Sequence, residues 1–231
     1  MIKYSDYINE WHYNGDNVES IYMEHPTTTE DFREIIAERL KQNPSRPFLL
    51  DIDTSKITDM RDAFSGYRGD YLKVKYKINV AENLTYLDIH TWDVSNVKSF
   101  IGMFYGCEKL MSVNLSGWNT KNLESMSCMF YECKSLTSID ISSFSVENTY
   151  DLSSAFYECN ILKTLKLPKN FISSRIKNLE FAFANCSKLK KINIDFNDCD
   201  IAINVDLTNC FRKCNKSIIP SWYDKKRWEN K

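Results

Sequence analysis

The sequence predicts an α/β solenoid, with short parallel strands on its concave face, short helical turns on its convex face and a capping helix at the N-terminal end. Three observations predict this fold. A phenylalanine and a cysteine recur together about every 26 residues, an alternating apolar segment follows each pair, and apolar residues at helical spacing precede it. Because no such unit can bury its own apolar face, successive units are expected to stack on one another.

The recurring pair has the form Phe-x-x-Cys and occurs five times, at spacings of 26, 26, 27 and 28 residues. The pairs are Phe104 with Cys107, Phe130 with Cys133, Phe156 with Cys159, Phe183 with Cys186, and Phe211 with Cys214. An earlier relative, Phe64 with Tyr67, lies 40 residues before Phe104. The additional residues define an insertion at 68–81.

The segment after each cysteine predicts a strand, since Leu110, Val113 and Leu115 alternate with polar residues and the later units repeat this order. The segment before each phenylalanine predicts a helical turn, because apolar residues such as Met126 and Met129 lie four and one places before it. Strands pack about 4.8 Å apart and helical turns about twice as far apart. The strands are therefore expected on the concave side.

The two ends of the chain differ from the repeats. The segment 27–30 has the spacing of a capping box, and Phe32, Ile36 and Leu40 then fall on one helical face until Asn43 and a proline. The predicted organisation is an N-terminal cap at 1–48, about six solenoid turns at 49–216, and a C-terminal cap with a basic tail at 217–231.

Several motifs resemble one known family. The segment LMSVNLSGW at 110–118 fits the leucine-rich repeat. The segments WDVSNV at 92–97 and MFYGC at 103–107 resemble the BspA-type leucine-rich repeat, in its branch of 26-residue bacterial surface-protein repeats. The resemblance implies a leucine-rich-repeat fold and a secreted or surface-attached protein, some members of which adhere to host matrix proteins or to other cells.

The composition predicts a globular chain without a membrane span. The 231 residues are 43% hydrophobic and 26% charged, and no apolar run approaches the ~18 residues that a membrane helix needs. The first residues lack the order of a signal peptide. This favours a cytoplasmic location, whereas the family resemblance favours the cell surface or secretion.

The sequence predicts no enzyme, no cofactor and no metal. Its three histidines, His12, His25 and His90, do not have the spacing of zinc ligands relative to cysteines or to one another. Neither a nucleophile elbow nor a glycine-rich phosphate loop is present. The eight cysteines are expected to be reduced, because helical turns ~8–10 Å apart exceed the Cα separation of about 7 Å that a disulfide allows.

The main functional hypothesis is a monomeric, non-catalytic module that binds an unknown protein partner through the concave strand face, as an adhesin-like protein or an intracellular adaptor or effector. The first half of this strand face is acidic and the second half is basic, and this difference in charge could orient a partner. The candidate contact residues are Tyr86, Asp88, His90, Asn114, Ser116, Asp140, Ser142, Lys166 and Lys191.

Two alternatives use other surfaces. Residues 161–231 hold 15 basic and 7 acidic side chains, so this third of the chain could bind nucleic acid or an acidic polysaccharide. Nucleic acid is disfavoured because no aromatic side chains interleave the lysines as stacking platforms. The candidate contact residues for such an anion are six of the lysines: Lys163, Lys166, Lys169, Lys188, Lys190 and Lys191. The insertion at 68–81 is the second alternative, as a contact loop.

Overall fold

A computed structural model describes residues 24–66, 71–172, 175–198 and 204–229. Helix α1, Thr29–Gln42, confirms the predicted amphipathic helix. Its N-cap is Thr28, whose side chain accepts the Asp31 amide while Asp31 accepts the Thr28 amide, so the capping box lies one residue later than predicted. The buried face of α1 carries Phe32 and Leu40 among its apolar residues, and the Phe32 ring packs edge-on against Trp92 with 5.2 Å between centroids.

Five short strands follow at intervals set by the repeat. They are β1 (Tyr86–Asp88), β2 (Ser112–Asn114), β3 (Ser138–Asp140), β4 (Thr164–Lys166) and β5 (Lys191–Ile192). All described pairings are parallel and in the same register, with Leu87 opposite Val113 and Ile139 opposite Leu165. The other helices are short: α2 (Tyr71–Tyr76), α3 (Val80–Asn83), α4 (Lys225–Trp228) and the 3-10 helices η1 (Phe196–Asp198) and η2 (Lys216–Ile218).

The predicted α/β leucine-rich-repeat solenoid is wrong. Within the described residues the strands form two small sheets, β1–β2 and β3–β4–β5, rather than one continuous concave sheet. The segments expected to be convex helical turns are not helices. Gly102 and Gly106 have φ of +61° and +66°, in the left-handed region that ends a right-handed helix.

The hydrogen bonds explain why these segments form turns. The amides of Gly102 and Phe104 donate to the carbonyls of Ser127 and Met129 in the next repeat, both at 2.9 Å. An α-helix would instead direct each amide to the carbonyl four residues earlier. The segment is therefore a run of tight turns that bonds sideways, and its apolar residues keep a three-and-four spacing without being helical.

A ladder of single parallel bridges marks a second line of contact between repeats. Its members are Asp59, Ser99, Ser125, Asp151, Asn178 and Asp206. Each side chain also accepts the amide two residues later, as Asp151 does from Ser153 at 3.0 Å. Such local bonds fix a turn. These polar residues therefore fix a turn at the same position in each repeat and keep the turns of neighbouring repeats aligned.

The phenylalanines and cysteines at equivalent positions of successive repeats form two columns. These columns join the repeats through the core. The rings of Phe64, Phe104, Phe130, Phe156, Phe183 and Phe211 stack with centroids 5.3–5.7 Å apart. Each cysteine thiol donates to the carbonyl of the phenylalanine in the preceding repeat, as Cys133 does to Phe104 at 3.2 Å. A buried S–H group and a buried carbonyl thus satisfy each other, which accounts for the recurrence of the two residues together.

The described part of the insertion is packed rather than loop-like. It contains α2 and α3, and Leu72, Ile78 and Val80 are buried. Lys75 joins α2 to α1 through ion pairs with Glu30 at 2.7 Å and Glu34 at 3.1 Å. Residues 68–70 of the predicted insertion lie outside the described residues. The segment 71–81 therefore contacts α1 and contributes side chains to the hydrophobic core.

Candidate functional site

The nine candidate residues line one face of the strands. Buried side chains such as Leu87, Ile139 and Leu165 alternate with them along the strands, so the candidates point away from the core. The structure places Tyr86 and Asp88 on β1, Asn114 on β2, Asp140 on β3, Lys166 on β4 and Lys191 on β5, with His90, Ser116 and Ser142 two residues beyond β1, β2 and β3. All nine are partly or fully exposed.

Four of these residues form one hydrogen-bonded cluster across the β1 and β2 repeats. The Nδ1 atom of His90 lies 2.7 Å from Asp88 Oδ1. The same oxygen accepts a 2.9 Å hydrogen bond from Asn114 Nδ2. The hydroxyl of Ser116 donates to Asn114 Oδ1 at 2.8 Å. The cluster fixes the orientation of side chains that water can reach.

A second cluster joins the β3 and β4 repeats. Lys166 Nζ lies 2.8 Å from Asp140 Oδ2, and the hydroxyl of Ser142 donates to Asp140 Oδ1 at 2.7 Å. Partial burial raises the pKa of Asp140, but the hydrogen bonds from Lys166 and Ser142 outweigh it and leave this pKa below its usual value. The ion pair also lies where the predicted acidic and basic halves meet, and partly cancels their opposite charges.

Tyr86 and Lys191 stand apart from the two clusters. The guanidinium of Arg46 lies 4.8 Å from the centre of the Tyr86 ring, a cation–π distance. Lys191 takes part in no ion pair with the residues that the structure describes. Sequence reasoning missed Arg46 because it precedes the first repeat and belongs to no column. The only signal in the sequence is that an arginine stands beside a segment predicted to be structured.

The described histidine, cysteine and acidic side chains do not gather into a metal site. No three histidine, cysteine or acidic side chains among them lie close enough together to hold a metal ion. The seven described cysteines are free thiols. Burial raises the pKa of Cys159 and Cys214 to about 12, and a thiol in that state is a poor nucleophile. His12 and Cys199 lie outside the described residues.

The buried thiols predict slow chemical modification. In native protein near pH 8, Cys107, Cys133, Cys159 and Cys186 are expected to resist alkylation, because all four are buried. Burial also raises the pKa of the last three of these thiols, which disfavours their reactive thiolate forms. After unfolding in urea they should react fully, as counted by mass spectrometry. Rapid alkylation of any of these four in folded protein would contradict this arrangement, and partly exposed Cys128 serves as the internal comparison.

Comparisons with known proteins give a family without an assigned activity. In the described part of the chain, no helix has both the length and the apolar character needed to cross a membrane. No curated protein and no solved structure matches the chain. The predicted membership of the BspA-type leucine-rich-repeat family is wrong, because the matching family is a different one and no leucine-rich-repeat family matches.

The matching family is described as "Mycoplasma protein of unknown function, DUF285". Its sequence model matches residues 37–166 and again residues 72–197. The two matches overlap and together cover more than half of the 231 residues. The matched region includes α2, α3, all five strands and both polar clusters. The chain therefore belongs to the DUF285 family.

Proposed function

We propose that this chain is a non-catalytic module that binds a protein partner through the exposed face of its strands. The observation that carries the proposal is the pair of polar clusters, in which side chains from neighbouring repeats hold one another across the strands. Side chains already fixed before binding lose less conformational entropy when a partner orders them. A surface built in this way favours specific recognition over transient, nonspecific contact.

The chemistry of this face supports a protein partner. It presents a carboxylate with a partly exposed imidazole near one end, a neutral hydroxyl and amide beside them, and a lysine at the other end. Such a mixture offers both donors and acceptors to a polar protein surface. Tyr86, with its ring against Arg46, supplies an aromatic contact of the kind that is enriched in protein interfaces.

The test is a cross-linked pull-down from the native cells and their surroundings, with wild-type protein and an Asn114→Arg, Asp140→Arg double variant. Each substitution places a large cation in one cluster and removes the bond that joins two repeats. We expect the variant to recover a true partner about tenfold less, which corresponds to losing about 1.4 kcal/mol of binding free energy. Recovered proteins are quantified by mass spectrometry.

The matched control is an Asn119→Arg, Glu147→Arg double variant, which makes the same change in charge at exposed positions outside the strands. Both variants must melt at the wild-type temperature. If both lose the same partners, or if neither loses any, the strand face is not the binding surface. Partners that are lost steeply as salt rises, with no difference between the variants, would support the anion-binding alternative of the basic C-terminal third.

A further inference from the structure

The outer edges of the first and last strands, β1 and β5, differ in whether other parts of the chain cover them. Beside β1, the carbonyl of Ser45 accepts hydrogen bonds from the amides of Thr85 at 2.9 Å and Tyr86 at 3.2 Å. The chain segment before the first repeat therefore covers the outer edge of β1. An exposed strand edge is a template for pairing with another chain, and folded proteins usually cover such edges.

The outer edge of β5 lacks this cover among the described residues. Lys191 faces β4, since its amide donates to the Lys163 carbonyl at 3.2 Å. In a parallel ladder the next residue directs its amide and carbonyl to the opposite side, so Ile192 presents both groups outward. Where a further strand would complete the pattern, the chain instead forms η2, Lys216–Ile218.

A cleft of about 430 Å³ separates β5 from the segment that contains η2. Its apolar lining includes Ile192, Ile194 and Ile219. The far wall is fixed in place, because Trp222 Nε1 donates to the Phe196 carbonyl at 2.9 Å. Specific ligand sites commonly have volumes of about 300–1,000 Å³. The open edge therefore lies inside a formed cleft and not on a flat surface.

The charge around the cleft selects among possible occupants. Lys190 lines it and Lys191 lies beside it, both exposed and both without an ion pair to any described residue. The one carboxylate among the described lining residues belongs to Asp195, whose Oδ1 accepts two hydrogen bonds from Asn197. A ligand with carboxylates beside an extended backbone would match both the lysines and the outward backbone groups of Ile192.

We propose that the open edge of β5 binds an extended acidic peptide segment of a partner protein, which joins the sheet as an additional strand. Backbone hydrogen bonds to Ile192 supply affinity, and alternate side chains reach the apolar lining and the lysines. This site lies at the outer edge of β5 and is separate from the two polar clusters on the strand face. Either proposal can therefore fail without the other.

The test is fluorescence anisotropy with the full chain and a labelled probe peptide, Glu-Val-Glu-Val-Glu-Val. A second probe carries N-methyl groups on alternate amides, which keeps its charge but removes the backbone donors along one edge. We expect saturable binding of the first probe and at least tenfold weaker binding of the second. Ile192→Pro, which removes an outward amide, should also weaken binding at least tenfold, whereas Ile192→Val should not.

Charge reversal provides the second arm. A Lys190→Glu, Lys191→Glu variant should lose the acidic probe and gain a Lys-Val-Lys-Val-Lys-Val probe, while a Lys109→Glu, Lys121→Glu control should behave as wild type. No saturable binding of the acidic probe, equal binding of its N-methylated form, or equal loss in the lysine control would overturn the proposal. Concentration-dependent dimers that Ile192→Pro abolishes would also overturn it, in favour of a second copy of this chain as the occupant.

Discussion

Replacement of Phe130 by alanine is expected to lower the free energy of unfolding by about 3–5 kcal/mol, the range for removing a fully buried aromatic side chain. The Phe130 ring is 0% exposed. It stacks between Phe104 at 5.3 Å and Phe156 at 5.7 Å. Its loss leaves a cavity in the middle of the column, so the repeats on both sides lose a packing partner.

Urea denaturation followed by circular dichroism measures this effect. Tyr131→Ala is the matched control, because Tyr131 is the next residue and also stacks, 4.4 Å from Tyr105, but is only partly buried. It should cost clearly less than Phe130→Ala. A loss of about 0.5 kcal/mol or less for Phe130→Ala, which is the scale of surface substitutions, would show that the phenylalanine column does not hold the repeats together.

The strands were predictable because one physical pattern specifies them. Alternation of Leu110, Val113 and Leu115 with polar residues fits a strand that is buried on one side only, and β2, Ser112–Asn114, lies within that segment. The same alternation correctly placed the nine candidate residues away from the core. Helix α1 was predictable in the same way, from its apolar face and its threonine cap.

The turns were not predictable from apolar spacing. A helix and a ladder of tight turns both bring residues three and four apart to one side, so Met126 and Met129 are consistent with either. The backbone decides between them, and several left-handed positions are occupied by residues other than glycine. Cys128 and Ser154, for example, have φ of +55° and +54°. Such residues give little sign of a left-handed conformation, because the bonds to the next repeat impose it.

The sequence predicts which side chains of the site are exposed, but not which of them hydrogen-bond to one another. Alternation along a strand says which side chains point outward, yet it does not say which of them meet. The Asp88–Asn114 hydrogen bond and the Asp140–Lys166 ion pair depend on the register between repeats. Arg46 and the open edge of β5 depend on the segments at the two ends, where the repeat no longer applies.

The substitution Gly102→Ala distinguishes the observed turns from the predicted helix, because the two structures predict opposite changes in stability. In a helix interior, Gly102→Ala would stabilise the protein by roughly 0.5–1 kcal/mol. Here Gly102 has φ of +61°, and an added Cβ would stand against Asp62 Oδ1. The left-handed conformation alone costs a side-chain-bearing residue about 1–2 kcal/mol. We therefore expect Gly102→Ala to be destabilising by at least about 1–2 kcal/mol in urea denaturation.

The converse substitution, Ser154→Gly, tests the same column of left-handed residues, two places before each phenylalanine. Ser154 has φ of +54°, and its amide donates to the Glu180 carbonyl in the next repeat at 2.7 Å. Glycine removes the strain of this conformation but adds freedom to the unfolded chain. We expect no loss of stability, and a gain of up to about 1 kcal/mol. If Gly102→Ala stabilises the protein and Ser154→Gly destabilises it, these positions do not have the left-handed conformation in solution, and the observed turns are contradicted.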